Sequence, residues 1–227
     1  MLLENLRLIR ERIEVAARKA GRNPAAVDIV AVTKKASPEA VRELLRSGQV
    51  RFVGENRVQD AVLRRKTLGE DAGLASWRFI GRLQSNKARQ ALELFDWIDS
   101  LDSLRLAAVL DAQLTGSHRR LKALIQVKLT ERETQGGVDP EQLGAFLEGL
   151  RPFRNLEACG LMAIAPMLEP VEAVRPYFRR MKALLERHFP AQGREELPRL
   201  SIGMSRDFEI AVEEGADLVR IGTALFS

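Results

Sequence analysis

Cysteine occurs once in this chain of 227 residues, tyrosine once and histidine twice. A single cysteine, Cys159, cannot form a disulfide within the chain, which fits a reducing compartment and points to the cytoplasm. His118 falls in a loop and His188 at a helix end. Neither sits at the end of a predicted strand, so a Ser-His-Asp triad or a histidine-ligated zinc site finds no support. Long apolar runs are missing too. Glu4, Arg7, Arg10 and Glu11 break up the start of the chain, so no signal peptide is read, and no window approaches the length of a membrane span. Charge of one sign is scarce: the net charge is +5, and the arginines fall in scattered pairs such as Arg64-Arg65, Arg119-Arg120 and Arg179-Arg180. Without a basic block or interleaved aromatics, a dedicated nucleic-acid module is not indicated.

What is present is an alternation of two periodicities. Helical patterns cover 2–20, 38–47, 57–69, 86–95, 103–114, 140–150, 171–189 and 206–214. The first carries the stripe Leu3, Leu6, Ile9, Ile13, Ala17. Between them lie short apolar runs at 28–34, 51–53, 77–80, 97–98, 123–127, 156–162, 200–201 and 218–221, which read as eight strands. Strict alternation of strand and helix implies a parallel sheet with helices outside. Eight units in a chain of this size predict an α/β fold of the (β/α)8 TIM-barrel type with an extra N-terminal helix, one domain spanning 1–227. A doubly wound open sheet is the alternative, but no strand run is followed by a Gly-x-Gly-x-x-Gly turn. The polar loop 190–198 is too short to separate domains.

In such a barrel the chemistry belongs at the carboxyl ends of the strands. The strand run from Asp28 to Lys34 ends on that lysine, and a helix start follows: Ser37 suits the N-cap, Pro38 the first helical position and Glu39 the positive helix end. Lys34 therefore faces the mouth, where an amine can form a Schiff base with an aldehyde. The plainer reading is a solvated loop lysine. After the last two strands, Gly203 and Gly222 allow backbone N–H groups to approach an anion, with Thr223 beside them and Ser205 as the N-cap of a helix near Asp207. Service in tight turns explains the glycines equally well. Arg220 reaches the mouth between these groups. A ligand with an aldehyde near Lys34 and a phosphate near Gly203, Gly222 and Thr223 has the shape of pyridoxal 5'-phosphate. An arginine beside its ring nitrogen would keep that nitrogen unprotonated and weaken the ring as an electron sink. Met162 and Met167 read as packing residues, and Lys87 with Arg89 as a solvated helix face.

Six segments resemble the pyridoxal phosphate homeostasis protein family in order and spacing. They are Ala31-Val32-Thr33-Lys34, the run from Phe52 through Gly54-Glu55-Asn56 to Gln59, the run from Phe79 through Gly81 to Gln84-Ser85-Asn86-Lys87, Gly160-Leu161-Met162-Ala163-Ile164, the run Leu200 to Ser205, and the run Val219 to Phe226. The resemblance implies the barrel of the N-terminal part of alanine racemase, covalent binding of pyridoxal phosphate, and a part in vitamin B6 balance with no established reaction. It implies Lys34 as the Schiff-base lysine, Asn56 and Met204 beside the ring, Ser201, Gly222 and Thr223 on the phosphate, and Arg220 at the pyridine nitrogen. Three positions depart from the family pattern: Arg78 where histidine is frequent, Lys128 where asparagine is, and Gln135 where lysine is. They spare the cofactor positions and bear on any regulatory role of the fifth-strand loop. Two functions follow: a cytoplasmic, monomeric carrier that passes the cofactor to apo-enzymes, or a racemase-type enzyme. The one tyrosine, Tyr177, is predicted on an outer helix, which leaves no second base opposite Lys34 and favours the carrier.

Overall fold

The computed structural model describes residues 1–130, 136–190 and 198–227. Gln135 and most of the loop 190–198 lie outside the described residues. Eight parallel strands close into a barrel in chain order: β1 (Asp28–Val32), β2 (Phe52–Glu55), β3 (Ser76–Phe79), β4 (Trp97–Leu101), β5 (Leu121–Gln126), β6 (Leu156–Met162), β7 (Arg199–Met204) and β8 (Leu218–Ile221). The helices are α1 (Leu2–Lys19), α2 (Pro38–Arg46), α3 (Val58–Leu68), α4 (Ala88–Leu94), α5 (Leu104–Leu114), α6 (Leu143–Leu150), α7 (Arg175–His188), α8 (Phe208–Glu213) and α9 (Thr223–Phe226). The expected barrel and extra first helix are both present. The stripe of α1 buries Leu2 rather than Leu3, with Leu6, Ile9, Ile13, Ala16 and Ala17, and it packs against α8 and α9. Ser37 caps α2 as its sequence suggests, accepting the Ala40 N–H at 3.1 Å, with Pro38 in the first turn.

Alternation along the strands separates two apolar groups. Ile29, Ala31, Val53, Ala123, Ile125, Leu161, Leu200, Ile202 and Val219 join the buried residues of the helices. Their neighbours Val30, Leu124, Met162 and Leu218 form a separate cluster with Cys159, Phe52 and Trp97. Since the helical residues all belong to the first group, the second fills the barrel interior. The same parity carries Arg78, Asp99, Ser201 and Arg220 inward.

Two elements differ from the sequence expectation. The ladder of β1 ends at Val32, and Thr33, Lys34 and Lys35 turn away, closed by the Ala36 N–H donating to the Thr33 carbonyl at 2.9 Å. After β8 the chain makes a one-turn helix, α9, from Thr223, where the sequence pattern shows only a loop.

The interior is not wholly apolar. Arg78 is buried, donates from Nε to Asp99 at 2.8 Å, and stacks over Trp97 at 4.0 Å and Phe52 at 5.0 Å. Asp99 is buried as well, so removal of one partner strands the other charge away from water. Asp99→Ala should lower the stability by about 3–5 kcal/mol in urea unfolding, and adding Arg78→Met should recover most of it. A loss under about 1 kcal/mol for the single variant would show that the pair is not needed by the interior.

Candidate functional site

The C-terminal mouth of the barrel holds a cavity of about 280 Å³. Its walls come from strand ends that share one parity: Val32 at the end of β1 and Lys34 after it, Asn56 after β2, Ile80 after β3, and Arg220 and Gly222 at β8. The loops after β6 and β7 add Ile164 to Leu168 and Met204 to Asp207, and Thr223 closes the rim. Lys34 and Lys35 are both exposed, but only Lys34 lines the cavity.

The turn carrying Lys34 is braced from outside the barrel. Glu55, fully buried at the end of β2, accepts from the Thr33 hydroxyl and from Arg64 Nε on α3 at 2.7 Å. Arg64 also donates to the carbonyls of Thr33 at 2.7 Å and Ala36 at 3.2 Å. One guanidinium therefore holds both ends of the turn. Burial raises the Glu55 carboxyl above its ordinary value, against the lowering effects of Thr33 and Arg64.

Arg220 lies under the cavity. Nη1 donates to the Ser201 carbonyl and hydroxyl, both at 2.8 Å, and Nη2 to the Ala163 carbonyl at 2.7 Å. Burial lowers its pKa to about 10, partly offset by Asp99 and Asp207. It stays cationic at neutral pH, and of its five N–H donors three are taken by these partners.

The expected phosphate loop is rearranged in three respects. Ser201 does not line the cavity; it is buried inside the barrel with its hydroxyl occupied by Arg220. Gly203 does not line it either. Its φ is +87°, and a Cβ there would come within 2.5 Å of the Ala211 Cβ, so the glycine lets α8 pack on β7. The helix cap is Asp207 rather than Ser205: Asp207 accepts the Met204 N–H at 2.6 Å. Ser205 instead accepts the N–H groups of Gly222 and Ala224, both at 3.3 Å, and lines the cavity with Thr223. The parity that points Ser201 inward is lost once the chain leaves β7, so strand counting could not rank Ser205 above it. Met204, Asn56, Gly222, Thr223 and Arg220 stand at the mouth as expected. Met162 is in the interior cluster, whereas Met167, expected as packing, is 81% exposed at the cavity rim. Tyr177 lies on α7 and lines a different concavity, with Lys128.

A lysine-bearing mouth on a barrel of this kind defines a class, and a family model described as the alanine racemase N-terminal domain matches residues 5–227. The pyridoxal phosphate homeostasis protein of Aquifex aeolicus is 40% identical over 226 residues, covering 98% of this chain and 96% of the relative. That of Pseudomonas aeruginosa is 39% identical over 229 residues, covering 99% and 94%. PipY of Synechococcus elongatus, solved with PLP bound, superposes with a TM-score of 0.81 at 38% identity, over 96% of this chain and all of that one. An alanine racemase of Clostridium difficile shares the fold, with a TM-score of 0.72 at 14% identity over 98% of this chain and 56% of its own. The chain belongs to the pyridoxal phosphate homeostasis protein family.

Glu55 offers a direct measurement of the brace. A carboxyl whose folded pKa is raised adds stability that is full below the unfolded value of 4.5 and lost as the pH rises through the folded value. Glu55→Gln removes that proton uptake, so its unfolding free energy should vary less with pH from 4.5 upward through the mildly acid range than that of the parent. Parallel pH profiles for the two proteins would show that Glu55 does not titrate in the folded brace.

Proposed function

We propose that this chain binds pyridoxal 5'-phosphate at the barrel mouth and acts as a carrier in pyridoxal phosphate homeostasis. The observation that carries the reading is the meeting of Lys34, Arg220, Ser205, Gly222 and Thr223 around one cavity. The names of its relatives and the PLP-bound PipY structure support it.

The residues present fit the group. At Gly222 an added Cβ would stand 3.2 Å from the Val32 carbonyl oxygen and 3.3 Å from its Cβ, so a side chain would crowd the strand end that leads to Lys34. Ser205 accepts two N–H groups and keeps its own O–H free to donate to a phosphate oxygen, as does the exposed Thr223. Met204 and Ile80 supply apolar contact for a ring, with Asn56 at its edge. When bound, the cofactor supplies an electrophilic aldehyde and a ring that can take up electron density. The Lys34 amine attaches to the aldehyde carbon with loss of water. Arg220, still charged, holds the ring nitrogen without a proton.

A carrier fits this chemistry better than a racemase. Besides Lys34, the titratable side chains lining the cavity are Arg206, Asp207 and Arg220. Burial raises the Asp207 carboxyl above its ordinary value, against the lowering effects of the Met204 N–H and Arg220, and its side chain is held by that N–H, so no base without such a partner stands opposite Lys34 among the described residues. The bound cofactor is then kept in a weakly activating environment and handed on to apo-enzymes that require it.

Purified protein treated with pyridoxal phosphate and borohydride should carry the pyridoxyl mass on Lys34 and not Lys35, and Lys34→Ala should lose the cofactor's absorbance band. Retention of the full band by Lys34→Ala would overturn the reading. The phosphate cradle has a separate test. Charge-assisted hydrogen bonds contribute roughly 1.5–3 kcal/mol each. Ser205→Ala with Thr223→Val should weaken pyridoxal phosphate at least about tenfold and pyridoxal little, on a scale of 1.4 kcal/mol per tenfold. Equal losses for both ligands would place the phosphate elsewhere.

A further inference from the structure

A second cavity, of about 340 Å³, lies beside the first and shares Asn56 with it. Besides Asn56, its polar lining is Arg57, Gln59, Arg82, Gln84 and Lys87, over the buried floor of Val58, Phe79 and Leu83. We propose that this is a separate oxyanion site, suited to a phosphate group.

The site is built by the close approach of two loops. Gly81, just after β3, lies against the backbone of Asn56: a Cβ at Gly81 would fall 2.0 Å from the Asn56 carbonyl oxygen, so only glycine lets the loops meet. The Lys87 N–H then donates to the Gln84 carbonyl at 2.9 Å and closes the turn Ser85–Lys87, which presents Gln84 and Lys87 from one short segment. Lys87 therefore does not share the solvated face of Arg89, which pairs with Glu93 along α4 at 3.8 Å.

Charge sets the cavity apart from the nearby ion pairs. Arg42 and Arg46 pair with Asp71, Arg64 with Glu55 and Arg51 with Asp28, and Arg65 on α3 donates to the Leu94 carbonyl and stacks over Trp77. Among the described residues, no carboxylate lies within ion-pair distance of Arg57, Arg82 or Lys87. The acid that feels Arg82 is Asp102, which does not reach it as an ion pair and whose pKa burial raises against the charge of Arg82. Three cations in one concavity repel one another unless an anion joins them. Two guanidinium forks and a point-charge ammonium match a tetrahedral dianion better than a single carboxylate. The group comes either as free phosphate or as a phosphate ester. None of these donors belongs to the Lys34 cavity, so failure of this site leaves the proposed function untouched.

The test uses protein loaded with pyridoxal phosphate, which fills the first cavity. Inorganic phosphate and glycerol 3-phosphate are titrated separately while backbone amide shifts are followed. Shifts should appear at Arg57, Arg82, Gln84 and Lys87, and the tighter probe identifies the source of the phosphate. The double variant Arg82→Gln, Lys87→Gln should raise the Kd at least tenfold with the cofactor absorbance unchanged. Arg82→Lys, which keeps the charge and loses the fork, should fall between. Shifts confined to other residues, or a double variant within twofold of the parent, would overturn the site.

Discussion

The parallel ladder that joins β1 to β8 sets Val30 beside Arg220 and Ala31 beside Ile221. This seam closes the barrel, and the position of every group at the mouth follows from it. Residues 34 and 222 are far apart in sequence, yet each lies just beyond the end of one of these two neighbouring strands. The parity of the pleat then points Val32 and Arg220 to the same interior. Had the register slipped by one residue, Arg220 would face the helices and Val219 the cavity. The apolar interior cluster, which needs Val30 and Leu218 inside, resists that slip.

Buried charge is the second theme. Arg220 gives up hydration and recovers it through Ser201 and Ala163, which fixes the guanidinium beneath the ligand cavity. Arg78 does the same through Asp99 and two aromatic rings. Asp99 and Asp207 act against these two cations, so the positive charge nearest the ligand cavity is that of Arg220 itself. That charge suits an anionic ligand.

Outside the barrel, the Glu55–Arg64 brace shows how a functional turn is held without contact from the ligand. The bonds run to Thr33 and Ala36, on either side of Lys34, and leave Lys34 itself exposed. The backbone beneath the amine is thus fixed while the amine itself stays accessible, the arrangement that the proposed attachment at Lys34 calls for.

Much of this was legible in the residues alone. Alternating 2.0 and 3.6 periodicities determined eight strand–helix units, and the caps at Ser37 and Pro38 brought Lys34 to the mouth end of the first strand, although that strand stops at Val32, short of the run read from the sequence. The run Arg220-Ile221-Gly222-Thr223 was readable for the same reason: short buried strands of one face leave a repeating signature. Side-chain choices beyond the strand ends were not readable. Ser201 and Ser205 are chemically alike and four residues apart, and only the packed loops show that one serves Arg220 and the other faces the cavity. Gly203 allowed an anion-binding and a turn reading alike, and the structure adds that its missing side chain is space α8 needs. Lys87, Arg57 and Arg82 gave no sign of convergence, because they come from two loops brought together by Gly81 against Asn56. Local pattern determines which elements form and which face is buried, since both depend on near neighbours in the chain. Which loop side chains meet depends on distances between strands, and those exist only once the barrel has closed.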